Sequence, residues 1–194
     1  MKKNILLFLL LASSFYINGC VFLGIATTAA TGAAIVEERS LGGMVDDKVI
    51  YAKTKHEFTK EHIGTSYDSV KILVYEGRVL LFGYVKSLEL KEKAEKLAWL
   101  TRGVKEVIND IGVQNVSNFP KDLWISAKLK TLLVTNKSLH SVNYDYSVYG
   151  GVIYLMGIAR TQSEIDILIK LCGSVKGVKK VKNYIIVKDD IRRG

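Results

Sequence analysis

The sequence predicts an α+β protein with two tandem units of one αββαβ fold, each a three-stranded sheet with two helices on one face. The first observation is an internal repeat: segment 102–109, RGVKEVIN, returns as KGVKKVKN at 176–183. The second is that the same offset superimposes Gly83 on Gly157, at the end of strand-like apolar runs. A repeat of this length indicates two small domains of one fold, so positions at which the copies differ can be compared directly.

The N-terminus has the three-part layout of a secretory signal. Lys2 and Lys3 precede an apolar run from 5 to 17, which is too short to span roughly 30 Å of hydrocarbon as a helix. The stretch INGC, which ends at Cys20, resembles the bacterial lipobox, in which the cysteine becomes the lipidated first residue of the mature protein. We expect a signal peptide over 1–19 and a lipid anchor on Cys20; the alternative is an ordinary signal with a chance cysteine.

The stretch that follows the signal is a tether rather than a domain. Residues 20–45 are small, contain several glycines and have no steady period. We assign the first domain to 46–116 and the second to 121–190. Pro120, the only proline, marks the joint, since proline disfavours helical conformation in the residue before it. Each unit is small for independent stability, so we expect the two to pack against each other.

Each unit opens with a predicted helix. In the first unit, Ile50, Thr54 and Phe58 recur at helical spacing between residues 46 and 58. The pairing of Asp47 with Asp122 needs an offset one position longer than that of the glycines, so the second unit has lost one residue before its hairpin. The equivalent stripe in the second unit is formed by Ile125, Leu129, Leu132 and Leu133.

A hairpin and a second helix come next. Strand-like runs flank a two-residue turn at Glu76-Gly77, and Gly150-Gly151 is the equivalent turn, which is typical of an antiparallel hairpin. Matched helix N-caps then follow at Ser87 and Thr161, and the sequence TQSE from Thr161 also fits a capping box. We expect glycines to end these helices before a last strand. The glycines are Gly103 and Gly177, and the strands are 107–113 and 181–187.

These features together resemble the BON domain family. The ending Gly-Val-x-x-Val-x-Asn and a hairpin with glycine at its turn and far end are typical of that family, and both units carry both. With the signal, lipobox and tether, the chain is similar to dual-BON outer-membrane lipoproteins of Gram-negative bacteria. The resemblance implies a periplasmic location, a role in envelope integrity and binding of anionic phospholipid through the second domain. Val21 after Cys20, rather than aspartate, favours the outer membrane by the same analogy.

The residues do not suggest an enzyme. His56 and His62 are six positions apart, or about 240° around a helix, so they cannot converge on a metal ion. The sequence has no Gly-x-Ser-x-Gly motif, phosphate-binding loop or dinucleotide fingerprint. Cys172 has Ala98 as its counterpart, which indicates a small apolar slot in the core rather than a nucleophile. We therefore expect no catalytic residues, no metal and no cofactor.

Charge separates the two units. Residues 46–120 hold 12 Lys or Arg against 11 Asp or Glu, for a net charge of +1, whereas residues 121–194 hold 13 against 6, for a net charge of +7. A solvated surface accounts for some of these lysines. Nucleic acid would be a second partner for such a charge, but a periplasmic location argues against it. An anionic phospholipid membrane is the remaining abundant polyanion, and each basic side chain near it contributes about 1 kcal/mol.

The opening helix of the second unit supplies the candidate phospholipid-binding residues, namely Trp124, Lys128, Lys130 and Thr131. Trp124 aligns with Val49 and lies off the buried stripe, beside Lys128. An exposed indole next to lysines suits a membrane interface. The alternative is that Trp124 packs between the two domains. Trp99, in the first unit, is expected to be half-buried, with a partner contact as its other interpretation.

Two functions therefore compete. The first is a non-enzymatic lipoprotein whose second domain binds anionic phospholipid. The second is a periplasmic protein-interaction adaptor or assembly factor, in which the basic domain meets an acidic envelope protein and Trp124 is a docking residue. A third possibility is small-ion sensing, which other BON modules suggest and which no ligand cluster in this sequence supports.

Overall fold

The computed structural model describes residues 38–64, 69–113, 121–136 and 138–190. Both domains belong to one compact unit, Glu37–Gly194. The predictions for Cys20, the signal peptide and Pro120 lie outside the described residues. The first domain consists of α1 (Leu41–Lys60), β1 (Ser69–Tyr75), β2 (Arg78–Val85), α2 (Leu88–Trp99) and β3 (Glu106–Val113). The second consists of α3 (Asp122–Thr135), β4 (Tyr144–Tyr149), β5 (Val152–Ala159), α4 (Gln162–Gly173) and β6 (Lys180–Val187).

The two domains have the same sheet topology, which confirms the predicted αββαβ fold. In the first sheet the strand order is β1-β2-β3, with β1 antiparallel and β3 parallel to the central strand β2. The second sheet has the order β4-β5-β6 and the same directions. Both hairpin turns have two consecutive residues with positive φ, of 52° and 77° at Glu76-Gly77 and 64° and 80° at Gly150-Gly151. These are the type I′ turns that match the twist of a hairpin.

The helices of each domain cover one face of its own sheet. In the first domain, Ile50 and Phe58 of α1 and Ala94 of α2 pack against Val79 and Leu81 of β2. The second domain repeats this arrangement with residues from α3, α4 and β5. Its central members are Ile125, Leu129, Leu168, Cys172, Ile153 and Leu155. The odd-numbered residues of β2 and β5 therefore face their own helices.

The opposite faces of the two sheets pack against each other. Leu80 and Phe82 of β2 and Tyr154 and Met156 of β5 meet in a third buried cluster, in which the rings of Phe82 and Tyr154 stack with centroids 4.2 Å apart. The even-numbered residues of the central strands thus form the contact between domains. Because each sheet has helices on one side and the other sheet on the other, the helices of the two domains lie on opposite outer sides.

Ion pairs border this contact. Arg78 is buried, donates from its Nε to the Glu106 carboxylate at 2.6 Å, and donates from its Nη1 to the backbone carbonyl of Tyr184 at 3.1 Å. Asp110 accepts from Lys182 at 2.6 Å and from the hydroxyl of Tyr184. These bonds join β2 and β3 of the first domain to β6 of the second, as the predicted packing of the two units requires.

Three local expectations differ from the structure. Helix α1 begins at Leu41 rather than near 46, because the Ser40 side chain caps it by accepting from the Gly43 N–H at 3.0 Å. Helices α2 and α4 end at Trp99 and Gly173, so the glycines expected to end them lie farther along the chain, in the turn before the last strand.

The predicted capping box is half formed. Thr161 caps α4 by accepting from the Glu164 N–H at 3.3 Å, and Ser87 caps α2 in the same way. The Glu164 carboxylate, however, accepts from the N–H of Arg160, one residue before the cap, at 3.0 Å. The Glu164 carboxylate also accepts from the backbone N–H of His140 and from its ring Nδ1, each at 3.0 Å.

Candidate functional site

Helix α3 carries apolar residues on both of its sides. Ile125, Leu129 and Leu133 are buried in the core of the second domain. On the outer side, Leu123 is 81% exposed and Val134 is 70% exposed. Large apolar side chains in one exposed group mark a surface that binds a partner or a membrane. We call the outer residues Leu123, Trp124, Ala127, Thr131 and Val134 the outer face of α3.

The structure places the predicted site residues on this helix and brings some of them together. Trp124 is 48% exposed, and the Lys128 Nζ lies 6.0 Å from the centroid of its ring. Thr131 is exposed and donates its hydroxyl to the Ala127 carbonyl at 3.2 Å. Lys130 is also exposed, but it is six positions from Trp124, or about 240° around the helix. The structure therefore pairs Trp124 with Lys128 and puts Lys130 on the opposite flank of the outer face.

Two residues of the outer face are not among the site residues predicted from the sequence. Leu123 and Val134 are more exposed than Trp124, and like Trp124 they lie off the stripe of buried residues on this helix. The signal that could have found them is the internal repeat. In the alignment that pairs Asp47 with Asp122, Leu123 has Lys48 as its counterpart and Val134 has Thr59. The two ends of this face are therefore polar in the first domain and apolar in the second, while its middle carries Val49, 44% exposed, where the second domain has Trp124.

The alternative interpretation placed Trp124 between the two domains. The structure does not have it there. The buried cluster between the two sheets is formed by residues of the strands, with Phe82 stacked on Tyr154. Trp124 projects from the outer side of α3, which is the side away from that cluster. Trp99, at the end of α2, is 50% exposed, as expected, and its neighbour Leu100 is exposed as well.

The N-terminus of α3 is fastened to the hairpin turn. The Asp122 carboxylate accepts from the N–H of Gly150 at 2.6 Å and from the N–H of Gly151 at 2.9 Å. In the first domain, Asp47 accepts from the two corresponding N–H groups, each at 2.8 Å. Asp122 therefore orients the helix that carries Trp124, and its charge is taken up by these two donors.

Glu164 is a buried carboxylate of the second domain with no acidic counterpart in the first. Burial alone would raise the pKa of Glu164, but the polar groups that face it, with the Tyr144 hydroxyl first and then the hydrogen-bond donors of His140 and Arg160, outweigh burial and lower that pKa. Arg160 in turn donates from its Nε to Glu38 at 2.7 Å. This cluster ties the segment before α1 to the second domain, and the counterpart of Glu164 in the first domain is Leu90.

The described residues contain little that suggests chemistry. Cys172 is buried, as the sequence predicts, and burial raises the pKa of its thiol to about 12, so the thiol stays protonated. Within the described ranges, no three His, Cys, Asp or Glu side chains are grouped as a metal site would require. No helix in those ranges combines the length and the apolar character needed to cross a bilayer.

Known proteins resemble this chain over most of its length. The BON domain family profile matches it twice, over residues 46–115 and 121–189. A protein of Anaplasma centrale named for the gshII 5′ region is 40% identical over 148 residues, which cover 74% of this chain and 96% of that protein. The outer membrane lipoprotein DolP of Haemophilus influenzae is 28% identical, over 89% of this chain and 91% of its own. A 21 kDa hemolysin of Actinobacillus pleuropneumoniae is 27% identical, over 77% of this chain and 78% of its own.

Proposed function

The chain belongs to the BON domain family, and from that premise we propose that it is a non-enzymatic outer-membrane lipoprotein whose second domain binds anionic phospholipid. Its role would be to support envelope integrity. The observation that carries the proposal is the outer face of α3, along which Leu123, Trp124 and Val134 are exposed and where Lys128 lies near the indole. The relative named outer membrane lipoprotein DolP supports the location.

The chemistry of the outer face fits a lipid headgroup layer. The indole of Trp124 and the aliphatic side chains of Leu123 and Val134 would enter the boundary between headgroups and acyl chains. The Nζ of Lys128, close to the indole ring, would stay at the depth of the phosphates. Because each lysine near an anionic surface contributes about 1 kcal/mol, the apolar and charged parts of this face would act in the same direction.

The proposal also implies an orientation on the membrane. The helices of the two domains lie on opposite outer sides of the paired sheets. If α3 lies on the bilayer, α1 and α2 of the first domain point away from it. The lipid on Cys20 would supply the anchoring, since several acyl chains hold a protein almost irreversibly. Lipid binding by the second domain would instead orient the protein and concentrate it where anionic lipid is abundant.

Vesicle flotation tests lipid binding. The chain from 22 onward lacks the acylated cysteine but keeps the whole compact unit, Glu37–Gly194. We expect it to float with vesicles that contain phosphatidylglycerol and to stay in solution with phosphatidylcholine vesicles. Binding should weaken as salt rises, because the attraction decays over roughly 8 Å at physiological ionic strength. If the protein floats with neither kind of vesicle, the proposed lipid binding is rejected.

Lipidation is tested separately. In cells fed labelled palmitate, we expect the wild-type chain to be labelled and processed, and Cys20→Ser to accumulate as an unlabelled precursor. Normal labelling of that variant would reject Cys20 as the anchor. Membrane fractionation of the wild-type protein then tests the outer-membrane location, with recovery in the inner membrane as the opposing result.

A protein-interaction adaptor is the second candidate, and one feature of the first domain favours it. A groove of about 550 Å³ lies between α1 and α2, lined by Ala52 and His56 on one side and by Leu97 and Leu100 on the other. Trp99 and Leu100 are exposed at the end of α2. If wild-type protein fails to float with anionic vesicles, this groove becomes the surface to probe by cross-linking in the envelope.

A further inference from the structure

Three segments of the second domain meet at one end of the fold, and we call this place the basic corner. They are the N-terminus of α3, the hairpin turn Gly150-Gly151 and the turn at Gly177. Asp122 binds the hairpin turn, and the Lys179 N–H donates to the Gly151 carbonyl at 2.8 Å. Gly177 packs over α3, since a Cβ added to it would lie 3.6 Å from the Cδ1 of Ile125.

Four exposed lysines belong to these segments or to the adjoining turn of α3. They are Lys121, Lys128, Lys176 and Lys179. The aliphatic part of Lys179 crosses the hairpin turn, because a Cβ added to Gly151 would lie 3.2 Å from its Cγ. Trp124 projects from the same end of α3, next to Lys128. Asp122 is the carboxylate that these segments contribute, and two backbone N–H groups already bind it.

The same corner of the first domain shows what is special about these lysines. It is built by the same contacts, with the Lys105 N–H donating to the Gly77 carbonyl at 2.9 Å, and it encloses a cavity of about 700 Å³. Three cations, Lys53, Arg102 and Lys105, line it. Two carboxylates besides Asp47 line it as well, and these are Asp46 and Glu76.

The exchange of these two carboxylates changes the balance of charge. In the second domain, the counterpart of Asp46 is Lys121 and the counterpart of Glu76 is Gly150. The three cations of the first domain are kept as lysines. A corner with three cations and three carboxylates has therefore become one with four lysines and one aspartate. Much of the difference in net charge between the domains is concentrated at this one place.

We propose that the basic corner is where the second domain binds the phosphate groups of an anionic bilayer, with Lys176 and Lys179 acting alongside Lys121 and Lys128. This inference rests on the proposed function and adds to the outer face of α3 a phosphate contact at the end of the domain where that helix begins. Lys176 and Lys179 come from a turn that follows α4, and the fold brings them to the helix of Trp124. The occupant is a phospholipid surface, because an indole beside several lysines matches a layer of phosphates above acyl chains.

Paired variants in the chain from 22 onward test this. With phosphatidylglycerol vesicles, Lys176→Gln combined with Lys179→Gln should weaken binding about thirtyfold, which corresponds to about 1 kcal/mol for each lysine. The matched control is Arg102→Gln with Lys105→Gln, which removes two charges from the same turns of the first domain and should change binding less than threefold. All four side chains are exposed, so thermal unfolding of both double variants should match the wild type.

The outcomes separate the inference from the function on which it rests. If the wild type binds anionic vesicles and the Lys176/Lys179 double variant binds equally well, the basic corner is rejected while lipid binding stands. If both double variants lose binding equally, net charge rather than this corner is responsible, and the inference fails. If the wild type does not bind, both fail. Inorganic phosphate should displace the protein no more than chloride at equal ionic strength; specific displacement would show a soluble phosphate site and overturn the lipid assignment.

Discussion

In the first domain the outer face of α1 carries Lys48 and Thr59, whereas in the second domain the same face of α3 carries Leu123 and Val134. The buried faces of the two helices show no such contrast, since Ile50 and Ile125 occupy equivalent places in the two cores. On these two helices the copies thus agree at a packed position and disagree at positions that meet solvent. This divergence makes the exposed face of α3 differ in chemistry from the corresponding face of α1, although the fold is the same.

The comparison also identifies which contacts are structural. An aspartate in the opening helix binds the hairpin turn in both domains, through Asp47 and Asp122. A carboxylate that is duplicated together with its donors serves the fold. A change that one copy alone carries, such as Trp124 in place of Val49, is free to serve binding. The predictions below test this division, beginning with the positions that should respond alike.

The largest effect is expected at the duplicated glycines Gly83 and Gly157. Their φ angles are +107° and +149°, and an added Cβ would lie 1.8 Å and 2.2 Å from the backbone carbonyl oxygens of Ser69 and Asn143. Gly83→Ala and Gly157→Ala should therefore each lower the free energy of unfolding by about 3 kcal/mol or more, measured by urea denaturation. Gly173→Ala is the control, because no atom lies within 4 Å of its added Cβ. A large loss in only one of the two domains would contradict the shared fold.

The next effect tests whether the domains unfold as one. Phe82 belongs to the first domain, but its ring stacks on Tyr154 of the second. Phe82→Ala should cost about 3 kcal/mol and shift a single cooperative unfolding transition, because the cavity it leaves opens between both sheets. The unfolding transition is followed by calorimetry and by the near-ultraviolet circular dichroism of the tyrosines. Two separate transitions in the wild type would show that the domains are stabilised independently.

A third prediction concerns Trp124 and its counterpart Val49. Trp124→Ala should weaken binding to anionic vesicles roughly tenfold, since the indole would no longer enter the headgroup layer, while stability changes by less than about 1 kcal/mol. Val49→Ala should leave both vesicle binding and stability nearly unchanged. Vesicle affinity and melting temperature are measured on the same preparations. A destabilised Trp124→Ala protein that still floats normally would contradict a membrane role for this face.

The smallest effect is a dependence of stability on pH that comes from Glu164, whose counterpart in the first domain is Leu90. The lowered pKa of Glu164 means that its contribution is complete above the pKa of the unfolded chain, near 4.5, and is lost as pH falls through the lower folded value. Glu164→Gln should cost about 1 kcal/mol at pH 7 and flatten the loss of stability below about pH 5. Urea unfolding at neutral pH and near pH 4 checks this. An unchanged acid profile would show that other carboxylates dominate it.

Much of the fold follows from short-range patterns. Positive φ in the turns favours glycine, which stands at Gly77 and at both Gly150 and Gly151, although Glu76 also adopts it. Ser87 and Thr161 cap the helices that they precede. The run VLLF, from Val79 to Phe82, could also have predicted a strand buried on both faces, because it is apolar at every position. The start of α1 was harder to predict from the sequence, because Gly42 and Gly43 are poor helix formers. The N-cap at Ser40 sets where this helix begins.

The candidate site was only partly predictable. Trp124 and Lys128 are neighbours on one helix, so their spacing places them together, and the structure has them adjacent. Lys130 shares the helix, but the helical rotation puts it on the other flank. Lys176 was not selected, because its approach to α3 depends on the packing of Gly177 over Ile125. A contact between segments so far apart in the chain leaves no trace in local spacing.

The sequence by itself determined the αββαβ fold of each domain, the duplication and the contrast in charge, because turns, caps, periodicity and composition are properties of neighbouring residues. Only the tertiary structure decided that the two sheets pack face to face, which puts the helices of the two domains on opposite outer sides. It also decided which of the many lysines of the second domain gather around Trp124. The reason is that both depend on the order of strands and on close packing between distant segments, which the chain acquires only when it folds.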